Sequence, residues 1–206
     1  MNTNKLHTVL HLALLTALVV FSGASCSASK SQSEPTPESD YAEMKTKAAE
    51  DFPNELPSVA LHNSSQKTIG DQFSAETDPD KRATKAADMF MGFYNMTTRA
   101  FSEYCGEYNV DLQPFVSAFK ARHVKEHQKA ISIRKSTPEF EYGQYSVIRT
   151  QLRGMAEQQM KDIASVNKTT IAGACELMAS NADYLSAEMH ISKLQPLVYA
   201  ELTYAK

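Results

Sequence analysis

The chain reads as an all-α protein: an antiparallel bundle of four to five helices preceded by an irregular N-terminal segment. Three observations lead there. Apolar residues recur at three- and four-residue spacing through most of the stretch after Asp78. No run of alternating β-branched residues is bounded by turn signals, and the chain has only 7 glycines, too few turn formers for a many-stranded sheet. Long amphipathic stretches joined by short connections bury their apolar stripes most fully against one another, as a bundle.

Residues 1–25 have the parts of a secretory signal peptide: Lys5 and His7 in a polar start, an apolar run from Val9 to Phe21, and small residues from Ser22 to Ser25. The apolar run is 13 residues long, short of the ~20 that cross a hydrocarbon core. The chain is therefore expected to be exported. Residues 27–40 contain no apolar side chain larger than alanine or proline, which predicts a disordered tether over 26–40. A single helical domain is expected over 41–206, made of a short helix from Tyr41 to Phe52, an irregular stretch over 53–78 and a helical core over 79–206.

The core opens at Asp78-Pro79-Asp80, where an N-cap acid, a proline in the first turn and a second acid suit the positive end of a helix. Ala83, Ala86, Ala87, Phe90, Tyr94, Thr97 and Phe101 give that helix one buried face as far as about Cys105, and Gly106 is expected in the left-handed terminal position. Asp111 is expected to cap a second helix that ends before Ser136-Thr137-Pro138. A third is predicted from about Glu139 to Val166, with Tyr145, Ile148, Leu152, Met155, Gln159 and Ile163 on one side. A fourth carries Ile171, Cys175, Met178 and Ala182, and Pro196 argues for a break before a fifth from about Leu194 to Tyr204. The many methionines at helical spacing are expected in the core, and most tyrosines inside, with hydroxyls at the rim.

Ser22-Gly23-Ala24-Ser25-Cys26 resembles the signal of a bacterial lipoprotein, in which small residues precede a cysteine that is lipidated and becomes the first residue of the mature chain. Cleavage after Ala24 by an ordinary signal peptidase is the alternative. Lipid on Cys26 leaves Cys105 and Cys175 as an even pair in an oxidising compartment, where a disulfide is the simplest state of two cysteines. Ser27 after the lipidated cysteine resembles outer-membrane sorting in Gram-negative bacteria. Membrane contact is expected through the lipid anchor only. Asn63-Ser64-Ser65, Asn95-Met96-Thr97 and Asn167-Lys168-Thr169 would be glycosylation acceptors in a eukaryotic source.

Loss of Lys5 with the signal leaves 20 basic against 24 acidic residues, a net charge of −4, and no basic stripe for nucleic acid. One short motif carries chemistry. His123-Val124-Lys125-Glu126-His127 matches the H-x-x-E-H signature of inverted zinc metallopeptidases. On a continuous helix both imidazoles would share a face and hold one zinc while Glu126 activates water, with Glu157, Glu176 or His190 asked to complete the site. A second metal reading joins His123 and His127 to Cys105 and Cys175 in a structural site. The plainer reading is of histidines at the edge of a buried face, bonded to neighbouring carbonyls or to a partner surface. There is no Gly-rich phosphate loop, no G-x-S-x-G elbow and no paired-acid motif.

The expectation is a non-enzymatic protein with no catalytic residue and no cofactor, exported to the cell envelope. It would be outer-membrane-anchored or periplasmic if Gram-negative, and would act by binding a protein partner as an inhibitor, immunity factor or accessory subunit. The alternative is a zinc-binding protein or metal-dependent hydrolase centred on His123, Glu126 and His127. A small-ligand carrier with a cavity between helices is a third reading.

Overall fold

A computed structural model describes residues 37–204, with side chains from Tyr41 onward. The expected signal peptide, Cys26 and most of the tether over 26–40 lie outside the described residues. The described chain is helical throughout and has no strands.

The first helix, α1 (Pro37–Asp51), takes in the last four residues of the expected tether. The stretch 53–78, expected to be irregular, is mostly helix: α2 runs Pro57–Ala75. Pro57 sits in its first turn, where a missing N–H costs nothing. Its buried residues include the consecutive run from Ser58 to His62, so it lacks the one-sided stripe that marks a helix in sequence. Packing against α1 holds it, as does the Ser58 N–H, which donates to the Asp162 carboxylate at 2.7 Å.

Next, α3 (Pro79–Asn95) begins as expected, with the Asp78 carboxylate accepting from the Asp80 and Lys81 N–H groups. It passes without a break into a π-helical turn, Met96–Ala100, and then α4 (Phe101–Gly106). The left-handed residue after this long helix is Asn109 rather than Gly106.

The predicted second helix is two helices, α5 (Gln113–Arg122) and α6 (Val124–Arg134), divided at His123 (φ −110°, ψ 19°). Asp111 accepts from the Gln113 N–H at its start. Thr137 then caps α7 (Pro138–Asn167), and left-handed Lys168 ends it. Thr170 caps α8 (Ile171–Ser180), which breaks at Asn181 into α9 (Ala182–Glu188). A single turn, α10 (Ile191–Leu194), precedes α11 (Pro196–Tyr204).

The long α3–α4 helix is the hub. Both α6 and α11 lie along α3, and α7 lies against the π turn and α4. On the other sides α5 packs on α9, and α1 and α2 pack together and on α7. One core unites these layers, with Phe90, Phe93, Phe101, Phe115 and Phe119 fully buried. Met89, Met91, Met96, Met155, Met160, Met178 and Met189 are all buried in it, as core packing requires. A disulfide joins Cys105 at the end of α4 to Cys175 in α8 (S–S 2.03 Å), and both half-cystines are fully buried. Among the described residues no helix is long and apolar enough to cross a membrane.

Candidate functional site

The H-x-x-E-H motif does not assemble a metal site. His123 is fully buried, and its ring stacks on Phe119 (centroids 4.0 Å apart) with Phe93 edge-on at 5.9 Å. Both ring nitrogens are occupied by backbone. Nδ1–H donates to the Phe119 carbonyl at 2.9 Å, and Nε2 accepts the N–H of Ile191 at 3.1 Å. That pairing fixes the neutral tautomer and leaves no lone pair for a metal. Burial accordingly pushes the His123 pKa down to about 4.

The break at His123 also removes the continuous helix on which the zinc reading rested. Past it, His127 turns toward α3 and stacks on Tyr94, 4.3 Å between centroids. Glu126 turns instead toward His190, with Oε1 3.8 Å from Nε2. The His190 Nδ1 accepts the Ser192 N–H, which leaves its Nε2 to face the carboxylate. Glu157 is taken up by Arg153 and Lys161. Cys105 and Cys175, spent in the disulfide, offer no thiolates for the Cys₂His₂ arrangement. Among the described residues no three His, Cys, Asp or Glu side chains are placed to hold one metal ion.

The site that the fold does build is lined by His127 and by Tyr94, on which it stacks. Between α3, the π turn, α6 and the start of α7 is a cleft of about 400 Å³, within the range of ligand pockets. Met91, Tyr94, Ile131 and Pro138 form its apolar walls, while Asn95, Arg99, His127, Gln128 and Glu141 supply its polar groups. The π turn presents Arg99. There the chain closes one residue later than in an α-helix, with the Phe101 N–H bonded to the Met96 carbonyl. The Thr97 and Thr98 hydroxyls donate to the carbonyls of Phe93 and Tyr94. Such single wide turns recur at functional sites.

Glu141 is the anomaly of the cleft. It is 5% exposed, and neither carboxylate oxygen accepts a hydrogen bond. Its ion pair with Arg134, 3.4 Å from Nη1 to Oε2, is shared, since the same guanidinium reaches Asp88 at 3.3 Å. A buried carboxylate without hydrogen bonds carries an unrecovered desolvation cost, several kcal/mol for a fully isolated charge. His127 beside it is held below the ordinary histidine range, chiefly by burial, although the Glu141 charge pulls the other way. Its ring is therefore a neutral wall at neutral pH.

On either side of Glu141, Phe140 and Tyr142 are large aromatic side chains left 49% and 65% exposed. The Arg134 guanidinium lies over the Phe140 ring and that of Arg99 over the Tyr142 ring, each 5.7 Å from the centroid. A second cleft, about 450 Å³, runs between α1 and α7. Its arginines are already paired, Arg149 with Glu103 and Arg153 with Glu107, each at 2.8 Å.

Two features of the sequence mark single elements of the first cleft, and neither joins them. Glu141 continues the Tyr145–Ile148–Leu152 stripe at helical spacing, and Asn95, Thr97, Thr98 and Arg99 form a polar run within a largely apolar helix. Comparison with known protein families, with curated proteins and with solved structures returned no match.

Proposed function

We propose that this chain is an exported, non-enzymatic binding protein of the cell envelope, anchored through lipid on Cys26, and that a segment of a protein partner docks at the mouth of the α3–α6–α7 cleft. One observation carries the reading. Within a single turn of α7, two exposed aromatic side chains, Phe140 and Tyr142, flank a buried carboxylate that accepts no hydrogen bond. Exposed aromatic anchors beside a desolvated polar group are the chemistry of an interaction hot spot. Arg99, whose guanidinium lies over the Tyr142 ring, adds a planar donor of the type enriched at interfaces.

The zinc reading has no comparable support, because His123 is consumed by backbone hydrogen bonds. The test is co-purification from solubilised envelopes of the native host, with tagged wild type beside a Phe140→Ser, Tyr142→Ser double variant. A discrete protein retained by the wild type and lost by the folded variant is the expected result. An identical set of proteins from both would reject this surface.

A further inference from the structure

Charge is unevenly spread over the molecule. The whole chain carries a net −3, yet residues 112–138, which make α5 and α6, hold Lys120, Arg122, Lys125, Lys129, Arg134 and Lys135 against a single acid, Glu126. That acid is 7% exposed and faces His190, so it offsets little of the positive charge at the surface. The exposed acids nearest in sequence, Asp111 and Glu139, lie beyond both ends of the segment.

The fold sorts these cations. Arg134 is held by Asp88 and Glu141, and Arg122 donates to the Ser186 hydroxyl and the Asp183 carbonyl. Lys120, Lys125 and Lys135 form no ion pair among the described residues. On α6, Lys125, Gln128, Ser132 and Lys135 follow one another at helical spacing and are all exposed, whereas Glu126 and Ala130 are buried on the opposite side. Lys120, Ala121 and Val124, exposed on either side of the break at His123, adjoin this face. Val124 leaves 47% of its surface in solvent. Three acids on the helices packed against α5 and α6 are already taken up, Asp88 by Arg134, Glu188 by Lys193 and Glu201 by Arg82.

Such a face fits a sheet of phosphates. Lysines around an exposed aliphatic side chain can place their ammonium heads on lipid headgroups while their stems and the valine rest on the apolar boundary. Nucleic acid fits it less well. No exposed aromatic ring lies on α5 or α6 for a base to stack on, and three free lysines neutralise few phosphates of a duplex.

We propose that the α5–α6 surface docks on an anionic phospholipid bilayer, with Lys120, Lys125 and Lys135 on the headgroup phosphates and Val124 at the boundary. This membrane contact is additional to lipid on Cys26. It uses neither Phe140 nor Tyr142, so it stands or falls apart from the partner-docking rim.

An acylated chain would bind any vesicle, so the test uses the mature chain carrying Cys26→Ser. Its partition is measured by co-sedimentation with vesicles of phosphatidylcholine alone and of equal parts phosphatidylcholine and phosphatidylglycerol. Binding to the anionic vesicles only is expected, with release in about 1 M sodium chloride, where the screening length falls to ~3 Å. A folded Lys120→Gln, Lys125→Gln, Lys135→Gln variant should partition about a hundredfold more weakly, roughly fivefold per charge. A Lys47→Gln, Lys67→Gln, Lys81→Gln control, with the same change of net charge at exposed positions elsewhere, should partition nearly as the parent does. The chain has no tryptophan, so a Val124→Trp variant reports on this face alone. Its emission should shift to the blue on anionic vesicles, while that of a Tyr204→Trp variant should not.

Absence of binding to anionic vesicles would overturn the proposal, as would equal losses in the two triple variants. Sedimentation without a shift at Val124 would show that another face docks. Stronger retention on immobilised polyglutamate than on anionic vesicles would also overturn it, and would assign the face to an acidic protein.

Discussion

His123 accepts the N–H of Ile191 through Nε2 at 3.1 Å, across 68 residues of chain. This bond ties the α5–α6 junction to the start of α10 and turns a motif with the look of a metal site into a structural joint. Replacing His123 by alanine opens a void among Phe90, Phe93 and Phe119 and leaves a buried N–H without a partner. The expected loss of stability is about 3 kcal/mol, from cavity and unmade hydrogen bond together. His127→Ala, at a half-buried position, should cost about 1 kcal/mol or less. Urea unfolding of the two variants checks this asymmetry. Equal losses that zinc restores would favour a metal pair.

Acid should weaken the fold through the same residue. In the unfolded chain His123 titrates near 6.5, and in the fold near 4. Between those values the unfolded chain binds the extra proton. The contribution is thus complete above about pH 6.5 and is lost as pH falls toward 4. His127, lowered in the same direction, adds to the trend. The loss from this source is on the order of 3 kcal/mol. Ring nitrogen chemical shifts provide the direct check: His123 should stay neutral at pH 5.5 with its proton on Nδ1. A ring that titrates at its ordinary value would contradict the buried joint.

The Cys105–Cys175 disulfide spans 70 residues and joins α4 to α8. A loop of that length constrains the unfolded chain by about 4 kcal/mol. A Cys105→Ala, Cys175→Ala double variant should therefore lower the denaturant midpoint substantially while retaining the helical circular dichroism spectrum. A midpoint unchanged from the oxidised wild type would show that the bridge does not constrain the unfolded chain in this way.

Gly154 lets α1 approach α7. A Cβ there would lie 2.8 Å from the Tyr41 ring, and the Tyr41 hydroxyl donates to the Gly154 carbonyl at 3.0 Å. Gly154→Ala is expected to push α1 outward and destabilise its docking by about 1–3 kcal/mol. Hydrogen exchange should rise in α1 and not in α3. Uniform or absent change would show that Tyr41 adapts without moving its helix.

Helix starts were legible in the sequence where local chemistry sets them. Asp78 caps α3 as its neighbours predicted, and the Ser136-Thr137-Pro138 break precedes α7. The α2 helix was hidden because its buried residues run consecutively from Ser58 to His62 and its stability comes from neighbours distant in sequence. The break at His123 was hidden for a related reason. The ring engages Phe119 on one side and Ile191 on the other, and the second partner has no local signature. The cysteine pair followed from counting. The cleft did not, since Arg99, His127 and Glu141 lie on three elements that only the tertiary packing brings together.

The most direct test of a partner-docking rim around Glu141 is site-specific photo-crosslinking in the native host. A photoreactive aromatic residue is placed at Tyr142, and, as a control, at Tyr204, which is 85% exposed at the far end of α11. A discrete protein adduct at Tyr142, absent at Tyr204 and abolished by Phe140→Ser, is the expected result. No adduct at Tyr142, or the same adducts at both positions, would contradict the account.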